Sequence, residues 1–323
     1  MLDLRDGHFI GGGQISVTDP SSYLGWKVDF SQPVGEAALQ HPSSLQWRIF
    51  KNQVALGIGG VAAVLMEFAD ARIRSGVWDH STYKADPIGR SKRTGIAAMV
   101  GCYGPASAAR RVIQGVTNMH ARVSGETPKG EAYKALDAEL LDWVAATAAF
   151  GFVTAYDRFV SPLSEAEKAR FYSDGATVAR LYGVQKSPSS SADFLDMMEV
   201  RAHRFEPHPI VEEFLAIIQS GQAAPAIPKF LHRALARGSV SILPPLIREK
   251  LALGASYDLT TADWLALRFV GAIAERRADR KSPACEASVR IGLPYDFLYR
   301  RVGEQERLLR ASGFEVSTAT VAA

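Results

Sequence analysis

Apolar residues along this chain recur every three to four positions, the spacing of one helix face. No segment shows the period of two expected of a half-buried strand. The pattern predicts helices over 50–74, 90–103, 106–123, 137–159, 164–182, 192–203, 209–220, 229–237, 261–280 and 297–311. Local chemistry sets several boundaries. Gly104-Pro105 breaks one helix and starts the next, because proline is tolerated in a first turn. Ser164 with Glu167 three residues on forms a capping-box pattern.

Between the helices, residues 1–48 are rich in Gly, Pro and Ser and read as an irregular N-terminal arm, pinned to the body by Trp26, Phe30 and Trp47. A polar loop is expected over 78–89 and a frayed tail over 315–323. The loop 221–228 is the only internal boundary, and no repeat is visible, so 1–323 is expected to be a single all-α domain.

Composition narrows the function. With 47% hydrophobic and 22% charged residues the chain is globular, and 323 residues supply core enough to enclose a cofactor. The net charge of +3 comes from 37 basic and 34 acidic residues mixed along the chain, which argues against a nucleic-acid partner. The longest basic cluster, Arg276 to Lys281, reads as a solvated helix end. Cys102 and Cys285 form no CxxC pair, which excludes thiolate metal sites in practice and suits a reducing cytoplasm. Met1 to Phe9 lacks the apolar stretch of a signal peptide. The apolar run Val54 to Met66 is too short to span a bilayer, so stable membrane insertion is not expected.

Several residues could carry chemistry. His120 follows Ile113 and Val116 and precedes Val123 at helical spacing, which puts its imidazole on an apolar seam. That placement by itself favours a satisfied core histidine, though it is also what the proximal side of a haem iron needs. Arg90, Arg93 and Thr94 share a face at i, i+3 and i+4; they are either a solvated helix start or a cationic group at the mouth of an apolar pocket. Glu67 lies among Val64, Leu65, Met66 and Phe68; it is either a buried base or the start of an exposed half-helix. His80 reads as a surface loop residue. Asp193, Asp196 and Glu199 have magnesium-like spacing but no facing acidic cluster, and read as a helix start. Gly57-x-Gly59 follows no strand and is not a dinucleotide motif; glycines here let a helix or a flat group approach.

An ordered set of segments resembles the MpaB / rubber-oxygenase family. The set comprises Gly57 to Met66, Gly76 to Ser81, Asp86-Pro87-Ile88-Gly89-Arg90, Arg93-Thr94, and Met119-His120-Ala121-Arg122-Val123-Ser124-Gly125. Tyr133 to Asp137, Leu140 to Val144, Leu163 to Glu167 and Arg290-Ile291-Gly292-Leu293-Pro294 complete it. The resemblance implies a globin-like helical core around haem b, with His120 as axial ligand. It also implies oxygenase chemistry with dioxygen on an apolar, isoprenoid-like small molecule. Arg90, Arg93 and Thr94 match the family's distal positions, where Arg93 replaces a lysine that can occupy the iron's sixth position. A guanidinium, always protonated, is a poor iron ligand, so an open distal side is expected. Arg90 is implied as a propionate partner and Glu67 as a base. A non-oxygenase haem protein, peroxidase-like or sensing, and a haem-less helical binding protein are the rival readings; the oligomeric state stays open.

Overall fold

The computed structural model describes residues 22–23, 26–80, 86–222 and 228–315. The signal-peptide reading, residues 316–323 of the tail, Ser81, and the side chains of Trp26 and Arg90 lie outside the described residues.

Fourteen α-helices run through the described residues: α1 (Leu45–Phe50), α2 (Gln53–Phe68), α3 (Ala71–His80), α4 (Pro87–Tyr103), α5 (Ala106–His120), α6 (Ala138–Phe159), α7 (Glu165–Leu181), α8 (Ser191–Arg201), α9 (Pro209–Ser220), α10 (Lys229–Ser241), α11 (Pro245–Lys250), α12 (Thr261–Arg276), α13 (Pro283–Arg290) and α14 (Val302–Ala311). Two short antiparallel pairs accompany them. Strand β1 (Ser22–Tyr23) meets β2 (Trp26–Lys27), and β3 (Ser124–Glu126) meets β4 (Ala132–Lys134) with Gly125 opposite Tyr133. The chain is therefore all-α, as the periodicity predicts.

The middle of the fold is the crossing of α2 and α6, the most extensive helix pair. Glycine makes it possible. A Cβ on Gly59 would lie 2.6 Å from the Gly151 carbonyl oxygen and 2.8 Å from Phe152 Cα. Thus the glycines of the 57–60 run admit another helix rather than a flat group at this point. Around the crossing, Trp143 is fully buried, stacks on Phe194 with ring centroids 5.6 Å apart, and donates Nε1 to the Met66 carbonyl at 3.4 Å. Helix α6 is also long and apolar enough, by length and composition, to cross a membrane; half of its most apolar stretch is buried within the fold.

The single helix expected over 50–74 is three. Asn52 accepts from the Ala55 N–H at 3.2 Å and starts α2. Asp70, 2% exposed, accepts from the Arg72 N–H at 3.0 Å and starts α3, which then runs on to His80 through the segment expected to be loop. The reason is tertiary. Arg72 clamps Asp70 at 2.7 Å and reaches Glu139 on α6 at 3.1 Å, where Arg201 also binds at 2.8 Å.

These ion pairs tie stability to acid. The Arg72 hydrogen bond holds the Glu139 carboxyl below its ordinary range. Lys129 and then Arg74 do the same for Glu206, against the opposing effect of burial. Both carboxyls bind a proton less readily folded than unfolded. Their contribution is complete above the ordinary carboxylate pKa and is lost as pH falls through the lowered folded value. Glu139 is half exposed, so its share is about 1 kcal/mol or less. Thermal melts between about pH 6 and about pH 3 should therefore fall more steeply for the wild type than for Glu139→Gln. Parallel curves would rule the linkage out.

Residues 28–48 pack on the body through Phe30, 8% exposed, and Trp47, fully buried. Arg290, also fully buried, holds them. Its guanidinium donates to the carbonyls of Phe30 at 2.6 Å, Glu36 at 2.8 Å and Tyr103 at 2.8 Å. Trp47 Nε1 donates to the Cys102 carbonyl at 3.0 Å, and Tyr103 Oη donates to the Trp47 carbonyl at 2.6 Å. The end of α4 is thus gripped from two segments, α1 through Trp47 and α13 through Arg290.

Candidate active site

Helix α4 starts where Asp86 accepts from the Gly89 N–H at 2.8 Å, with Pro87 in the first turn. Arg93 lies two turns in, its Nη1 3.6 Å from Asp86 Oδ2, and Thr94 is exposed beside it. Ala97 follows Arg93 by four residues and Ala98 follows Thr94 by four, so the same face continues into the fold. There Ala97, Ala98 and Gly101 form one wall of a cavity of about 220 Å³. Helix α6 supplies Ala145, Ala148, Ala149 and Phe152, and α7 supplies Gly175, Val178, Ala179 and Tyr182. Phe50, Gln40 and Gln46 line it from the N-terminal side. Small side chains on three facing helices leave the space open.

Glu67 ends α2 on its half-buried side, where it accepts from Thr147 Oγ1 at 3.3 Å. Thr147 is fully buried on α6, between cavity residues Ala145 and Ala148. His120 is the last residue of α5 and half-buried. Ile113 and Val116 before it are buried and Val123 after it packs on the core, so the seam read from spacing exists. His120 does not line the cavity. The structure therefore brings Arg93, Thr94 and the cavity onto one helix face and sets Glu67 beside α6. His120 stands on the helix that follows α4 across Gly104-Pro105.

Other candidates are occupied with structure. Asp193, in the first turn of α8, accepts from the N–H and the hydroxyl of Ser189 and donates its own N–H to the capping Ser190. His80 is an exposed helix end whose Nε2 lies 3.1 Å from Tyr133 Oη. Both cysteines are buried free thiols, and burial pushes each thiol up, which suppresses thiolate reactivity. Among the described residues no three or more His, Cys, Asp or Glu side chains are grouped to hold a metal ion. A haem iron asks instead for one axial imidazole, cations for its propionates and an apolar slot. Among the described residues His120 offers an imidazole and Arg93 a cation of the kind that donor set needs. The cavity alone, below the ~300–1,000 Å³ usual for ligand pockets, suits a smaller apolar molecule.

A family model described as "ER-bound oxygenase mpaB/B'/Rubber oxygenase, catalytic domain" matches residues 47–276. The chain belongs to this oxygenase family. The match begins in α1 and ends with α12, so it takes in every candidate residue above and the whole cavity except Gln40 and Gln46. The family's catalytic domain thus includes the α2/α6 crossing and the α4 face. Residues 277–315, with Arg290, lie outside it and brace it. No curated protein and no solved structure matches the chain.

The sequence places an apolar substrate channel between the helices of Val54–Phe68 and Trp143–Phe152. The second does line the cavity, through Ala145, Ala148, Ala149 and Phe152, but the first does not, and the wall from α7 carries no signal in the sequence. The partners of the candidate residues, Asp86 for Arg93 and Thr147 for Glu67, carry no signal in spacing.

Proposed function

We propose that this chain is a haem b-dependent oxygenase that brings dioxygen to an apolar small molecule. The observation that carries the reading is the apolar cavity on the face of α4 one turn beyond Arg93 and Thr94, in a chain of an oxygenase family.

His120 would hold the iron through a neutral imidazole, made the better ligand by its apolar neighbours Val116 and Val123. Haem, when bound, supplies the one-electron and dioxygen chemistry that no side chain here can supply. The rest falls to the protein. Arg93 and Thr94 stand one turn before the cavity wall on α4, from where a cation and a hydroxyl would stabilise negative charge that develops in the reaction. Arg93 exchanges its 3.6 Å partner, Asp86, for that charge. Arg90, in the first turn of α4, would meet a propionate. Glu67, its Oε1 held by Thr147, is the base. The apolar walls of the cavity orient the substrate. A 150 Å³ apolar cavity admits benzene, so about 220 Å³ takes a compact molecule or chain segment of somewhat more than that size.

The visible spectrum of the haem-supplied protein tests the reading. The wild type should show a Soret band, and His120→Ala should lose or shift it. A wild type with no Soret band sinks the haem reading. An unchanged spectrum in His120→Ala leaves haem but removes His120 as ligand.

A further inference from the structure

Helix α12 has an inner face and an outer one. Inward, Leu267 is 2% exposed and Gly271 is buried. Both acids of the helix are engaged within the fold: Asp263 pairs with Arg237 at 3.0 Å, and Glu275 with Lys51 at 2.8 Å. Outward, Leu265, Phe269 and Ile273 follow one another at i, i+4 and i+8, and are 55%, 67% and 44% exposed. Trp264 adds to the ridge, with Arg268 over its ring at 5.6 Å. Single exposed apolar residues are ordinary, but a continuous ridge of them marks an interaction surface.

The charges beside the ridge are one-sided. Arg268 and Arg276 flank it, and Arg277, Arg280 and Lys281 follow its end. None of these five is in an ion pair among the described residues, whereas Arg248, Arg300 and Arg310 each meet a carboxylate within 3.3 Å. Asp279 is the lone acid in 277–281, and its carboxylate accepts from the Lys281 N–H at 3.0 Å. The basic cluster is solvated, as the sequence suggests, yet it lies at the end of an exposed apolar ridge.

We propose that α12 seats the protein on an anionic lipid surface, with Leu265, Phe269 and Ile273 at the acyl boundary and the unpaired arginines against headgroups. A helix with Trp, Phe and Leu on one face and cations beside them lies in such an interface. The charge pattern selects lipid over a second copy of the chain. A two-fold contact sets a patch against itself, and this patch would set five cations against five with one carboxylate, Asp279, on each side. The inference rests on α12 and the basic residues that follow it, and does not depend on haem.

Flotation of the full chain with vesicles tests it, using phosphatidylcholine alone and phosphatidylcholine mixed with phosphatidylglycerol. The protein should float with the mixed vesicles and much less with the neutral ones, and added salt should erase the difference. Leu265→Ser with Phe269→Ser should lower the bound fraction by about tenfold or more. Arg276→Gln with Arg277→Gln should lower it about thirtyfold on the mixed vesicles alone. These positions are at the surface, so melting curves should stay near wild type. No flotation, or equal flotation of all variants, overturns the proposal. So does a concentration-dependent dimer in sedimentation velocity that Phe269→Ser abolishes.

Discussion

Gly59→Leu will leave little folded protein, and even Gly59→Ala will lower the melting temperature by about 3–4 °C, the equivalent of about 2–3 kcal/mol of overpacking. The added Cβ meets backbone: the Gly151 carbonyl oxygen at 2.6 Å, its carbon at 2.7 Å and Phe152 Cα at 2.8 Å. Backbone cannot rotate aside as a side chain can. The helices would have to part, and the fold's most extensive pair would loosen with them. Gly60→Ala is the control. There the Cβ meets only Phe152 Cε1 at 3.8 Å, an ordinary contact, so the gain in helix propensity, about 1 kcal/mol at most, should show. Equal losses for both variants in thermal melts would mean that the crossing does not set the cost.

Arg290→Ala is the second large loss, roughly 3–6 kcal/mol, since three buried carbonyls each lose a partner worth about 1–3 kcal/mol. Burial pulls the Arg290 pKa down to about 10, which still leaves it charged at neutral pH. No carboxylate forms an ion pair with it among the described residues; its hydrogen-bond partners are the carbonyls of Phe30, Glu36 and Tyr103. Arg290→Lys should recover only part of the loss, because an ammonium is a compact point and cannot reproduce the fork. Denaturant melts of the two variants check this; full recovery by lysine would reduce the role of Arg290 to charge.

The long periodic helices were legible, and so were the Ser164–Glu167 box and the Gly104-Pro105 break, because their causes are local. Helices α1, α11 and α13, of 6, 6 and 8 residues, are too short for a period to show. The break at Asp70 is invisible locally. Glu67 to Arg74 reads as helix, and only the Arg72 clamp, completed by Glu139 from far along the chain, bends it. Helix α12 ends at Arg276 rather than 280, and α14 starts at Val302 rather than 297. For the site, the face shared by Arg93, Thr94 and the cavity wall follows from helical spacing. That alanines of α6 and glycine and alanine of α7 would face it is a tertiary fact. The family's segments drew attention to His120, which its own neighbours could not do.

Helix α4 is gripped at Cys102 and Tyr103, and its polar groups stand at the other end. That makes it a lever. From Tyr103 back to Arg93 is ten residues, roughly 15 Å of helix, so a tilt of about 10° at the grip swings Arg93 by roughly 2–3 Å. A misplacement of about 1 Å at reacting groups can cost on the order of 100-fold in rate. Small repacking beneath Trp47 or Arg290, too slight to register in a melting curve, is thus amplified along the helix into a change in turnover.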